Sequence, residues 1–186
     1  RKLNINVERD YTDESVAVYG DEQQLHQVFL NLFLNAMDAM KKNGSGTLTV
    51  AVKYDHHRFH SGNEDDSLSE SDCVRVTVSD TGCGILPDHI EYLFTPFFTT
   101  KVEGCGLGLS VVHGIIMEHR GEIDVQSTID AGASFTIRLP FAKDLVAAGA
   151  ISEEAISITH SGLRPSGTID KQHDTDKGQN LWKAAK

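Results

Sequence analysis

Two amides four residues apart, Asn31 and Asn35, stand in a segment whose apolar residues recur every three or four positions, so both can project from one helix face. Gln27 and Asp38 lie at the margins of that face. An amide oxygen is a hard, uncharged acceptor, suited to a magnesium ion whose charge is neutralised mainly by phosphates, since such ions take few protein ligands. On spacing alone, solvated amides or a helix cap are the commoner occupants of such a pattern. Further along, Asp80-Thr81-Gly82-Cys83-Gly84-Ile85 follows a run of alternating β-branched residues. A carboxylate at a strand end can accept from an exocyclic amine such as that of adenine, and the glycines let a flat ligand approach the backbone. A plain Asp-Thr-Gly turn is the alternative.

The strongest single signal is Gly104-Cys105-Gly106-Leu107-Gly108-Leu109, which opens a helix. Unpaired N–H groups and the positive dipole end at a helix start can cradle phosphates. The same spacing occurs in dinucleotide folds, but the early strand-turn-helix context that such a fold requires is absent here. Upstream, Phe94-Thr95-Pro96-Phe97-Phe98-Thr99-Thr100-Lys101 sets three aromatics beside hydroxyls and a cation. Alone it reads equally as core aromatics and a solvated lysine. Between two glycine motifs it reads as a lid, residues 86–106, in which Phe97 and Phe98 anchor or shield the closed form while Thr100 and Lys101 meet phosphate oxygens.

These motifs need elements to hold them. Leu3 to Val7 and Val16 to Val18 read as two short strands joined by a polar turn over 10–15. A helix capped by Asp21 follows, with Leu25, Val28, Phe29, Leu32, Phe33, Ala36, Met37 and Met40 on its apolar face. Strands are expected over 47–54 and 73–79 as neighbours in one sheet, with a polar, solvated insertion over 55–72 between them. A short helix over 87–94 and a second long helix over 108–119 precede strands over 122–127 and 134–139, which are joined by the turn Asp130-Ala131-Gly132. Residues 1–141 read as one domain. Residues 142–186 read as an extension, partly helical over 145–158 or disordered.

With 186 residues, 39% hydrophobic and 24% charged, the chain can bury one sizeable core. A formal charge of −10 and a pI near 5.3 argue against general binding to nucleic-acid backbones or anionic membranes, so a polyanionic ligand needs a local site. No apolar run approaches the roughly 20 residues that span a bilayer, and Arg1-Lys2-Leu3-Asn4 lacks the apolar core of a secretory signal. Three cysteines, Cys73, Cys83 and Cys105, without metal-ligand spacing make a disulfide framework a poor reading and a reducing cytoplasm a good one. His56, His57 and His60 lie in the polar insertion with no further ligand pattern, and a solvated loop accounts for them.

Taken in order, residues 31–39, 80–85, 94–101 and 104–109 resemble the N, G1, F and G2 boxes of sensor histidine kinases. The phrase Pro96-Phe97-Phe98-Thr99-Thr100-Lys101 is similar to the nitrogen-regulatory type of these kinases. The resemblance implies an α/β, two-layer α+β sandwich of the GHKL superfamily (the Bergerat ATP-binding fold), a mixed sheet with helices on one face and ATP under a lid. It implies Asn35 as magnesium ligand with Asn31 close by, Asp80 on the adenine amine, Gly82 and Gly84 shaping the base pocket, and Gly104, Gly106 and Gly108 at the phosphates. Contacts by Asp38, Ile85, Phe94, Thr99, Leu107 and Leu109 complete the expected set, the two leucines by packing.

Three departures stand out: Cys105 replaces a common Thr, Arg120 a common Gly, and Ala133 a common Thr. Related gyrase, Hsp90 and MutL ATPases carry a water-activating Glu where this sequence has Asn31, and an amide is no base at neutral pH. The resemblance therefore implies a kinase, with Asn31, Asn35 and Lys101 as its chemistry-bearing residues. ATP and magnesium are the expected ligands. The phosphoryl acceptor is expected on a separate dimerisation hairpin, since none of the histidines in this sequence stands in a His-Glu-x-x-x-Pro context, with a response regulator downstream. An ATPase of the same superfamily or a non-transferring nucleotide-binding module remains the alternative.

Overall fold

The computed structural model describes residues 4–11, 17–59, 70–101, 104–141 and 181–183. Five strands form one mixed sheet in the order β1-β3-β4-β6-β5, with β1 Asn4–Tyr11, β3 Ser45–Arg58, β4 Glu70–Asp80, β5 Glu122–Thr128 and β6 Gly132–Pro140. β1 runs parallel to β3, and every other pairing is antiparallel. A crossover between parallel strands needs a long connection, and helix α1, Glu22–Met40, supplies it. The short β2, Ala17–Tyr19, pairs with β7, Leu181–Lys183, and Val18 also bridges to Phe141.

Alternation divides the sheet into two unlike faces. Leu48 and Val52, then Val74, Val76 and Val78, then Phe135, Ile137 and Leu139 point to one side and are buried against Leu25, Val28, Leu32 and Ala36 of α1 and Val112 and Ile116 of α3, Gly108–Glu118. Met37, read from the sequence as part of the apolar stripe, is instead 39% exposed, because it lies about 100° around the helix from buried Ala36, at the margin of the stripe. The other face carries Thr77, Ser79, Ser134, Thr136 and Arg138, with the Ser79 and Ser134 hydroxyls 2.8 Å apart.

Two further expectations are corrected. The solvated insertion over 55–72 is shorter than expected, because β3 continues to Arg58 and β4 begins at Glu70 in unbroken register. His56 pairs with Asp72 at 2.8 Å, and His57 with Glu122 on β5 at 2.7 Å. β3 and β5 lie three strand spacings apart, about 14 Å, and both side chains stand on the polar face, so the pair ties the β3–β4 arm to the far edge of the sheet across that face. The short helix α2 ends after one turn, Pro87–Ile90, and residues 91–94 continue as turns. His60 and the helix expected over 145–158 lie outside the described residues.

Candidate functional site

Asp21 caps α1 by accepting from the Gln24 N–H at 2.9 Å, and the helical period then sets Asn31, Asn35, Asp38 and Ala39 along its partly exposed flank. The side-chain oxygen of Asn31 faces the start of α3, 3.7 Å from where a Cβ on Gly108 would stand. One turn on, Asn35 Oδ1 accepts a hydrogen bond from Lys101 Nζ at 2.8 Å, and Asp38 Oδ2 accepts from the same ammonium at 2.8 Å. Lys41 pairs with the other oxygen of Asp38. Lys101, followed by Lys41, holds the Asp38 carboxyl below the usual carboxylate range.

At the end of β4, Asp80 is 8% exposed and accepts from the Gly82 N–H at 2.7 Å. Burial raises its pKa, against the lowering effect of backbone N–H groups from Gly82 and Ala133. Gly82 is required by close approach: a Cβ there would stand 2.6 Å from that of Ala39. Asn35 and Ala39 are four residues apart and share a helix face, so the Gly82 backbone meets α1 about one turn from Asn35. The glycine loop is pinned on several sides. Cys83 N–H donates to Ala39 O at 3.2 Å, Asp130 N–H to Cys83 O at 2.9 Å, and Ile85 N–H to the Ser127 hydroxyl at 2.9 Å.

The segment expected to form the lid touches α3 and α1. Phe94 packs at a tilt against His113 of α3 with ring centroids 5.2 Å apart, and Phe98 packs edgewise against His89 at 5.6 Å. Phe97, expected to anchor or shield the closed lid, is 75% exposed, with φ at 68°, and its N–H donates to Gly106 O at 3.0 Å. A Cβ on Gly106 would collide with the Phe97 backbone, so glycine is required there. Thr99 Oγ1 accepts from the Lys101 N–H at 3.1 Å, while Thr100 is exposed. Lys101 itself reaches α1.

Leu107 precedes α3, and among the described residues no side chain caps the first-turn N–H groups there, which leaves them open to an anion. Leu109 packs against the core and Leu107 stays 38% exposed. Sequence reasoning missed Thr81, whose hydroxyl accepts from Thr47 N–H at 2.9 Å, and Ser127, which donates to Gly132 O at 2.7 Å. Neither carries a local signal, since each acts on backbone from another part of the chain. The arrangement thus offers a carboxylate at a strand end, an amide and a carboxylate sharing one cation, and an uncapped helix start.

The chain belongs to the family described as histidine kinase-, DNA gyrase B-, and HSP90-like ATPases, whose model matches residues 20–143, more than half of its length. It is 46% identical over 123 residues to the sensor histidine kinase ZraS of Salmonella typhi, covering 66% of this chain and 23% of that protein. It is 36% identical over 138 residues to sporulation kinase E of Bacillus subtilis, covering 74% of this chain and 16% of the other. The chain therefore spans less than a quarter of these curated relatives. Among solved structures, the nucleotide-free catalytic domain of histidine kinase ThkA superposes with a TM-score of 0.60 at 31% identity, covering 76% of this chain and 84% of that one. Full-length ShkA in complex with AMPPNP superposes at 0.57 with 26% identity, covering 75% of this chain and 26% of that one. This is an ATP-binding catalytic domain of the sensor histidine kinase type, on the α/β fold expected from the sequence. No helix among the described residues is long and apolar enough to cross a membrane.

Proposed function

We propose that ATP with magnesium binds between α1 and segment 86–106, and that the domain directs the γ-phosphoryl group to a histidine on a separate helical hairpin. The observation that carries this reading is the meeting of Asn35, Asp38 and Lys101 on the flank of α1 whose Asn31, one turn back, faces the uncapped start of α3. Asp80 accepts from the adenine amine, and the glycine loop over Ala39 forms one wall of the base pocket. The donor set fits magnesium, because an amide oxygen and a carboxylate oxygen already share one cation. Bound magnesium supplies charge neutralisation at the phosphates. Asn35 and Asp38 hold that region, while Gly104, Gly106 and Gly108 present backbone to the phosphate oxygens.

The imidazole nitrogen of the hairpin attacks the γ-phosphorus in line and ADP leaves, so the domain's work is positioning and electrostatic stabilisation. Asn31 cannot take a proton from water at neutral pH, which keeps the phosphoryl group for the imidazole. A response regulator then receives it from the hairpin. Free thiols and dependence on ATP support a cytoplasmic setting for this domain.

Mixing the domain with the hairpin of its parent protein and γ-labelled ATP should give acid-labile label on the hairpin. Asn35→Ala should abolish magnesium-dependent ATP binding, measured by calorimetry. Tight ATP binding without transfer would reassign the chain as a nucleotide-sensing module. Sustained phosphate release by the isolated domain would reassign it as an ATPase.

A further inference from the structure

We propose that Asn35 and Asp38 form one cation seat with two successive occupants, the Lys101 ammonium in the nucleotide-free domain and the magnesium ion of an incoming nucleotide. The inference rests on the ATP-binding reading above and adds an exchange step to it. The Lys101 nitrogen lies 2.8 Å from Asn35 Oδ1 and 2.8 Å from Asp38 Oδ2, so the ammonium uses an oxygen that a metal held by Asn35 would need. Two cations cannot share one amide oxygen at contact distance in a partly desolvated site without strong repulsion. Entry of one displaces the other.

The lysine is aimed at the seat by its own segment. Its N–H donates to Thr99 Oγ1 at 3.1 Å and its carbonyl accepts from Gly104 N–H at 3.2 Å, a compact turn that sends the side chain toward α1. The pair is partly exposed, with side-chain accessibilities of 45% for Lys101 and 33% for Asp38, so the latch is weak enough to open. Displacement frees the ammonium beside the phosphates, and metal arrival and release of segment 94–101 become one event. Lys41 stays on the other Asp38 oxygen and is not part of the exchange.

Two measurements test this. In the nucleotide-free domain, Lys101→Met and Asp38→Asn should each speed amide hydrogen exchange across Phe97 to Lys101 by about two- to fivefold, the fold-change of an exposed ion pair. The double variant should be no faster than either, and Lys41→Met should match wild type. At fixed concentration of a non-hydrolysable ATP analogue, the magnesium needed for half-maximal binding should fall about two- to fivefold in Lys101→Met and rise in Asp38→Asn. Unchanged exchange in the variants, or equal loosening by Lys41→Met, overturns the latch. A raised magnesium requirement in Lys101→Met overturns the competition. Failure of the wild-type domain to bind the analogue overturns the ATP reading itself, an outcome separable from the other two because exchange in the nucleotide-free domain is read independently.

Discussion

Asp80 shows how a single carboxylate is made into a recognition group. It leaves the last position of β4, is nearly enclosed, and is held by backbone N–H groups from Gly82 and Ala133, one from its own loop and one from β6. Burial raises its pKa from the model-peptide value of 3.8, so the folded state favours the neutral acid more than the unfolded chain does. The stability this contributes is full below about pH 4 and is lost as pH rises through the raised value. Asp80→Asn cannot ionise. Its stability relative to wild type should therefore improve between about pH 4 and pH 7, read as the difference in melting temperature at the two ends. A difference that does not change with pH would contradict the burial argument. The same variant should weaken the preference for adenine over guanine, because an amide presents a donor where the carboxylate accepts.

At the scale of elements, the end of α3 explains one departure from the family pattern. Arg120 N–H donates to Met117 O at 3.0 Å and Gly121 N–H to Ile116 O at 2.9 Å, the paired bonds of a Schellman cap whose left-handed residue is Arg120 at φ 56°. Glycine adopts that conformation without steric cost, so Arg120→Gly should stabilise the domain by about 1 kcal/mol in denaturant unfolding. No gain would mean the arginine side chain contributes packing that offsets its strain. The neighbouring His119 locks the two long helices together. Nδ1 lies 2.7 Å from Ile115 O and Nε2 accepts from Asp21 N–H at 2.9 Å, which fixes the neutral tautomer protonated on Nδ1. A Cβ on Gly20 would collide with this ring, so a glycine before the α1 cap makes room for the end of α3.

Across the whole molecule, the helices cover one face of the sheet, and the His57–Glu122 pair reaches across the other. Cys73 points to the polar face yet has no exposed surface, and burial pushes its thiol up to about 11. Cys83 and Cys105 are exposed in the two glycine loops. A thiol reagent at neutral pH should therefore label Cys83 and Cys105 in the native domain and Cys73 only on unfolding, as read by mass spectrometry. Rapid native labelling of Cys73 would contradict its burial.

The sequence by itself determined the periodicities and therefore the elements: the 3.6-residue stripe of α1, the alternation of β3, β4 and β6, and the glycines that mark both loops. Order and spacing of the four motifs were enough to imply the family, because each motif is local and its chemistry follows from residue type. It did not determine where side chains from different motifs meet. Lys101 was read as a phosphate contact, and only the folded chain set its ammonium on Asn35 and Asp38. Phe97 and Phe98 are adjacent and alike in type, yet left-handed backbone turns one to water while the other packs on His89. The extent of the β3–β4 arm was hidden for the same reason. Its polar residues look solvated until β5 supplies Glu122 as the partner for His57. Local pattern fixes what an element is. Contacts between residues distant in sequence depend on how the sheet twists and which face the helices cover, and those are properties of the assembled chain.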